Sequence, residues 1–139
     1  MVVDDVEEIK KLKARYFRLM DAKDWAAMRE LFTSDMRLDA TGTGGGVVVG
    51  VDDFVAMLAE TLAGTTTAHH GHMPEIELTS ATSATGVWAL ADLIVFPDKT
   101  RLTGSGHYHD TYVKVDGAWR ISSSTVTRLL MEVIPPPAQ

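Results

Sequence analysis

Apolar residues open the chain at three- and four-residue steps: Val6, Ile9, Leu12, Tyr16, Leu19 and Met20. That period predicts a helix from about Asp4 to Ala22. Asp4 or Asp5 can cap it, and Glu7 and Glu8 sit favourably in its first turn. Asp24 reads as the cap of a second helix through Phe32, with Trp25, Met28, Leu31 and Phe32 inward, and Thr33-Ser34-Asp35 ending it. Met36 to Ala40 and Val47 to Val49 read as short strands. The glycine run between them lacks the strand-to-helix context and Lys-Ser/Thr ending of a phosphate loop, so it reads as a mobile turn. Asp52 is expected to cap a third helix carrying Phe54, Val55, Leu58 and Leu62.

From Thr66 the period changes to two. Thr67–Thr79, Ala84–Phe96, Thr100–Val115 and Ala118–Val133 are rich in Val, Ile, Thr, Tyr and Trp, and predict four long antiparallel strands. Pro97-Asp98-Lys99 and Asp116-Gly117 are turn signals, the second among the strongest for a hairpin. Three helices followed by long strands give an α+β domain with the helices on one face of a sheet. Strands of this length curve, and a curved sheet closed by helices makes a cone with a pocket inside. One domain over residues 1–134 is expected, with the proline-rich residues 135–139 as a tail.

Composition narrows the function classes. The chain has 139 residues, 45% hydrophobic and 23% charged, enough for one sizeable core and ordinary for a globular protein. A formal net charge of −6 with no wide basic footprint argues against nucleic-acid binding. No stretch approaches the roughly 20 apolar residues needed to span a bilayer, and the acidic N-terminus does not read as a signal peptide. With no cysteine, disulfides and thiolate metal sites are excluded and a cytoplasmic location is expected.

Two stretches carry candidate chemistry. Asp21 ends the apolar stripe of the first helix, five residues after Tyr16, and His69-His70-Gly71-His72 opens the first long strand. An inward carboxylate needs a partner, and imidazole is the partner that would make it acid–base equipment near neutral pH. The bland reading of Asp21 is a helix-terminal residue bonded to the following connection; that of Tyr16 is a core tyrosine. The histidine cluster invites a metal reading, with Asp92, His107, His109 and Asp110 as further donors. Strand alternation argues against it, because His69 points away from His70 and His72; no metal is expected. The same alternation puts Tyr108, Asp110 and Tyr112 on one face and His107, His109 and Thr111 on the other. Met20, Met28 and Met57 could line an adaptable cavity. Arg128 could clamp an anionic group or form a surface salt bridge.

The chain resembles the SnoaL-like branch of the nuclear-transport-factor-2 fold. The resemblance rests on Asp21-Ala22-Lys23-Asp24-Trp25, Thr67-Ala68-His69, Gly104-Ser105-Gly106-His107-Tyr108 and Tyr112-Val113-Lys114-Val115-Asp116-Gly117-Ala118-Trp119-Arg120-Ile121. It implies a cone of three N-terminal helices on a strongly curved antiparallel sheet. In scytalone dehydratase, bile acid 7α-dehydratase and hexachlorocyclohexane dehydrochlorinase, an Asp late in the first helix pairs with a His on the first long strand. Asp21 and His69 match these positions. Tyr16 matches a Tyr of the bile acid enzyme, and Arg128 a basic residue of the last strand. Scytalone dehydratase carries a second His where this chain has Ile94, which puts any two-imidazole mechanism in doubt.

The resemblance implies a cofactor-independent lyase acting on a small hydrophobic molecule, with Asp21, His69 and Tyr16 catalytic. Arg128, Tyr108 and Asp110 are substrate-binding candidates, and so is His72, since the phase of the strand decides which histidine faces inward. Ketosteroid-isomerase-like or cyclase activity, and ligand binding without catalysis, use the same pocket. Relatives often pair through the outer sheet face, so a homodimer or higher homo-oligomer is expected.

Overall fold

A computed structural model describes residues 4–138. The first helix, α1, runs Asp5–Ala22. The Asp4 carboxylate accepts from the backbone N–H groups of Val6 and Glu7 at 3.0 and 3.3 Å. Lys23 closes the helix in the left-handed region (φ 57°), returning its N–H to the Leu19 and Met20 carbonyls. The second helix, α2, is shorter than its pattern predicts: it spans Trp25–Arg29, and Asp24 caps it by accepting from Ala27 N–H at 3.2 Å.

Phe32 opens a strand, β1 (Phe32–Asp39), and Thr33-Ser34-Asp35 lies inside it rather than breaking a helix. The reason is tertiary. Ile121 donates its N–H to the Leu31 carbonyl at 2.8 Å, and β1 lies parallel to the last strand. The polar tripeptide falls in a register shift of that ladder, between Phe32 and Arg37, where the backbone bulges. A 3-10 turn (Thr41–Thr43) leads to β2 (Val47–Val49), antiparallel to β1. Helix α3 spans Val51–Thr61; its cap is Gly50, at φ 95°, and not Asp52. Asp52 lies in the first turn and binds Arg29 at 2.7 Å.

The long strands are β3 (Thr66–Leu78), β4 (Ser83–Val95), β5 (Arg101–Val115) and β6 (Ala118–Ile134), each within one residue of its predicted ends. Asp116 and Gly117, at φ 50° and 79°, make the tight β5–β6 turn whose twist suits a hairpin. Six strands form one curved, unclosed sheet in the order β2-β1-β6-β5-β4-β3. It is mixed, because β1 pairs with β6 in parallel. Register shifts in β3 and between β5 and β6 bend it. At one of these, Gly106 is obligatory: a Cβ there would lie 1.9 Å from the Thr127 carbonyl oxygen.

Helix α1 lays Ile9, Leu12, Tyr16, Leu19 and Met20 on the concave face, among Tyr108, Tyr112 and Ile121. The other end of the cone is closed by α3, whose Phe54 ring meets Phe32 at a centroid distance of 5.0 Å. Trp119 anchors the start of α1 by donating its indole N–H to Asp5 at 2.9 Å. Among the described residues no helix is long and apolar enough to cross a membrane. This architecture brings the end of α1 and the start of β3, forty-odd residues apart in sequence, into contact.

Candidate functional site

The last turn of α1 presents Asp21, and the first residues of β3 meet it with three donors. Thr67 donates its hydroxyl to Asp21 Oδ1 at 2.8 Å, and His69 donates its backbone N–H to Oδ2 at 3.0 Å. His69 Nδ1 lies 2.8 Å from Asp21 Oδ1. A carboxylate already accepting two bonds is served by a third donor, which favours the Nδ1–H tautomer and leaves the Nε2 lone pair free. The His69 side chain is 8% exposed and Asp21 26%. Asp21 thus stands at the outer edge while His69 lies deeper.

His69 reaches a cavity of about 180 Å³ between α1, α3 and the concave sheet. Its wall is mainly Met20, Leu38, Phe54, Met57, Leu62, Leu90 and Ile94, with Tyr16, Tyr108, Asp92, Thr43 and Arg128 as polar members. Of the three methionines, Met20 and Met57 line it, whereas Met28 is fully buried in the core beside it. Ile94 adds an apolar side chain to this wall.

Tyr16 and Tyr108 are both buried, their rings edge to face at 5.9 Å. Burial away from water pushes both phenols above their ordinary range, and the Asp110 charge adds to this for each. Both therefore stay protonated at neutral pH and can act as donors.

Asp92 faces inward from β4, directly across the ladder from His69. It accepts both arms of Arg128, Nη1 at 2.7 Å and Nη2 at 2.8 Å, and Arg128 Nε donates to Thr43 Oγ1 at 2.8 Å. The carboxylate holds the guanidinium above its ordinary value, against the opposing effect of burial. This bidentate pair is interior, not the surface salt bridge that Arg128 could have formed.

Two residues expected to bind substrate, Asp110 and His72, occupy other places in the fold, as the strand faces explain. Asp110 shares the inward face with Tyr108 but lies behind the tyrosines, bound to Lys13 at 2.8 Å and to the Tyr112 hydroxyl at 2.8 Å. It does not line the cavity. His72 projects from the opposite face, where it and His70 border an external groove that Lys10, Arg18, Asp21 and His69 also line. The pleat sends successive side chains to opposite sides, so of His69 and His70 only His69 reaches the inner cavity. His70 and His72, and His107 and His109, form ring pairs at 6.0 and 6.2 Å. Among the described residues no group of three or more His, Cys, Asp or Glu is arranged to hold a metal ion.

Sequence reasoning passed over Lys13, Asp92 as a cavity residue, and Thr43. Lys13 had a signal: it lies four residues after Ile9 and three before Tyr16, on the apolar stripe. Asp92 interrupts the inward run of Trp88, Leu90 and Ile94. Thr43 had none, since only the folded loop brings it to Arg128.

A family model for the SnoaL-like domain matches residues 1–125. The chain belongs to the SnoaL-like family. Its fold is shared with a proposed scytalone dehydratase from Novosphingobium aromaticivorans, at 19% identity and a TM-score of 0.84 over 97% of this chain and 94% of that one. A hexachlorocyclohexane dehydrochlorinase from Novosphingobium barchaimii superposes at 16% identity and a TM-score of 0.79, covering 94% and 90%. A Kribbella flavida protein gives 22% identity and 0.85, covering 92% and 93%. At these identities the likeness establishes the fold, which is of the nuclear-transport-factor-2 type.

Proposed function

We propose that this SnoaL-like protein is a cofactor-independent, dehydratase-like lyase that removes a proton next to a carbonyl in a small hydrophobic cyclic substrate. The observation that carries the reading is the 2.8 Å contact between Asp21 and a His69 ring that also forms part of the cavity wall. The dehydratase and dehydrochlorinase names of the relatives point the same way. A volume of about 180 Å³ is below the roughly 300–1,000 Å³ of drug-sized pockets, which favours one or two rings.

His69 Nε2 takes the α-proton, and the C–H electron pair moves to the carbonyl oxygen as an enolate. Asp21 holds the other ring N–H and stabilises the imidazolium that forms. Tyr16 donates its hydroxyl to the enolate oxygen, a contact that strengthens as charge develops there. Collapse of the enolate expels a hydroxyl group from the β-carbon, and the imidazolium returns its proton to that leaving oxygen, giving water and an enone. An isomerase would return the same proton to another carbon.

The activity can be tested before the natural substrate is identified. Exchange of α-protons for deuterium is followed by proton NMR across a panel of mono- and bicyclic ketones, and enone formation across their β-hydroxy derivatives. Wild-type protein is expected to catalyse exchange on at least one member, and His69→Ala to lose about 10²–10⁴-fold. Exchange no faster than buffer on every member, or full activity in His69→Ala, rejects the proposal.

A further inference from the structure

Lys13 is the most anomalous side chain in the molecule. It rises from the apolar stripe of α1, is wholly buried, and lies 2.8 Å from Asp110 Oδ2, whose side chain is also wholly buried. Its ammonium stands over the ring of Tyr108 at 3.9 Å and that of Tyr16 at 4.2 Å. Those two rings line the cavity that Lys13 and Asp110 do not reach. Asp110 Oδ2 also accepts the Tyr112 hydroxyl at 2.8 Å, and the Trp88 indole N–H donates to that hydroxyl oxygen at 3.0 Å. Asp110 Oδ1 has no hydrogen-bond partner among the described residues.

Stability alone gives little reason for such a pair, because well-packed apolar replacements of a buried ion pair are often neutral or better. Its connectivity gives a reason. Helix α1 supplies Lys13 and, one turn on, Tyr16; strand β5 supplies Asp110 and, two residues before it on the same face, Tyr108. One ion pair across the helix–sheet interface therefore ties down the two elements that carry the phenols. A desolvated cation over an aromatic face is at its most attractive, and here one ammonium engages both rings.

We infer that Lys13 and Asp110 are positioning residues: their ion pair clamps the rings of Tyr16 and Tyr108 so that both hydroxyls are presented to the cavity in one orientation. The inference rests on the lyase reading for its effect on turnover, but the clamp itself does not. Burial depresses the Lys13 ammonium, and the adjoining Asp110 carboxylate opposes that. Replacing Asp110 alone therefore removes the group that keeps the cation in place.

The test is the paired variant Lys13→Met with Asp110→Asn, which removes both charges together and keeps an acceptor for Tyr112. Lys13→Gln with Asp110→Asn, which removes both charges and keeps polar partners on both sides, serves if the first pair fails to fold. Flip rates of the Tyr16 and Tyr108 rings are read by carbon-13 NMR of ring-labelled tyrosine, with assignments from Tyr→Phe variants. Both are expected to flip about tenfold faster or more once the cation is gone. In the ketone exchange assay kcat is expected to fall about tenfold or more, with KM within about twofold, because misoriented donors act on the transition state. Flip rates within about twofold of wild type overturn the clamp. Faster flips with an unchanged kcat overturn the positioning role. If wild-type protein exchanges no ketone at all, the lyase reading fails, and the ring dynamics still decide the clamp.

Discussion

His69 and His70 are chain neighbours whose rings leave the sheet on opposite sides; both border the external groove beside α1, but of the two only His69 reaches the inner cavity. His69 is buried, bonded to Asp21 and turned to an apolar cavity. His70 is exposed and faces His72 across 6.0 Å. The contrast extends across the strands. On the inner face Asp21 has His69, Asp92 has Arg128 and Asp110 has Lys13, so each of these acids has a base. On the outer face, among the described residues, His107 and His109 stand ring to ring and His109 Nε2 lies 3.3 Å from the Thr127 hydroxyl. The proposed chemistry depends on which side of the pleat a residue takes, because the inner side is dry enough to make a charge costly and its partner decisive.

The largest effects should separate the two histidines. His69→Ala is expected to lose about 10²–10⁴ in ketone exchange. Asp21→Asn should lose a large part of the same factor, since the amide no longer stabilises the imidazolium. His70→Ala and His72→Ala should stay within about twofold of wild type, since loss of a surface ring away from the cavity leaves the reacting groups in place. The comparison breaks if an outer-face histidine proves as necessary as His69.

Breaking an inner pair comes next. Arg128→Met leaves Asp92 buried without its cation, and a charge stranded in this way typically costs about 3–5 kcal/mol. Urea unfolding is expected to show a loss of that order. The double variant Arg128→Met with Asp92→Leu should recover much of it, because the two apolar side chains strand no charge. Equal losses in the single and double variants would mean that the pair's stability lies elsewhere.

The inner face should also respond to alkaline pH. Tyr16, Tyr108 and Tyr112 are all on it, and burial raises each phenol above the ordinary value of 10.0. A folded-state value above the unfolded one gives stability that is full below about pH 10 and lost as pH rises, because the unfolded chain releases the protons first. Each such tyrosine contributes a slope of up to about 1.4 kcal/mol per pH unit in that window. Lys13, lowered from 10.5, works in the opposite sense, adding stability as pH climbs towards its ordinary value. The net decline should therefore steepen above about pH 10.5. Urea midpoints across a pH series measure it, and Tyr112→Phe should flatten the slope. Tyrosinate absorbance in folded protein near pH 10 would contradict the burial of all three.

Much of this arrangement was legible in the chain. The 3.6-residue period of α1 and the two-residue period of the long strands depend on local pattern, and Asp116-Gly117 on local turn chemistry. All three sit within a residue or two of prediction. The alternation that separated His69 from His70 was legible for the same reason, and the family resemblance added Asp21 opposite His69. What was not legible is long-range. Thr33-Ser34-Asp35 reads as a break because nothing local reveals a parallel partner in β6. Asp92 and Arg128 are 36 residues apart, and only the β4–β5–β6 register brings them together. Lys13 was visible as a charge on an apolar stripe, but its partner was not.

The smallest effects test the outer face itself. His107→Thr and His109→Thr replace half-exposed or exposed rings by a β-branched residue suited to a pleated surface, beside Thr125 and Thr127 on the adjoining strand. No buried charge is stranded, no cavity opens, and the one bond lost, His109 to Thr127, is long. Each substitution should stay within about 0.5 kcal/mol of wild type in urea unfolding, as surface changes away from special features do. Sedimentation run alongside adds a second reading. If the outer face packs against a second copy of the chain, as the family resemblance implies, the His107 and His109 variants should shift the monomer–oligomer balance. Such a shift, with turnover unchanged, would sharpen the division between a face that performs chemistry and a face that meets a partner.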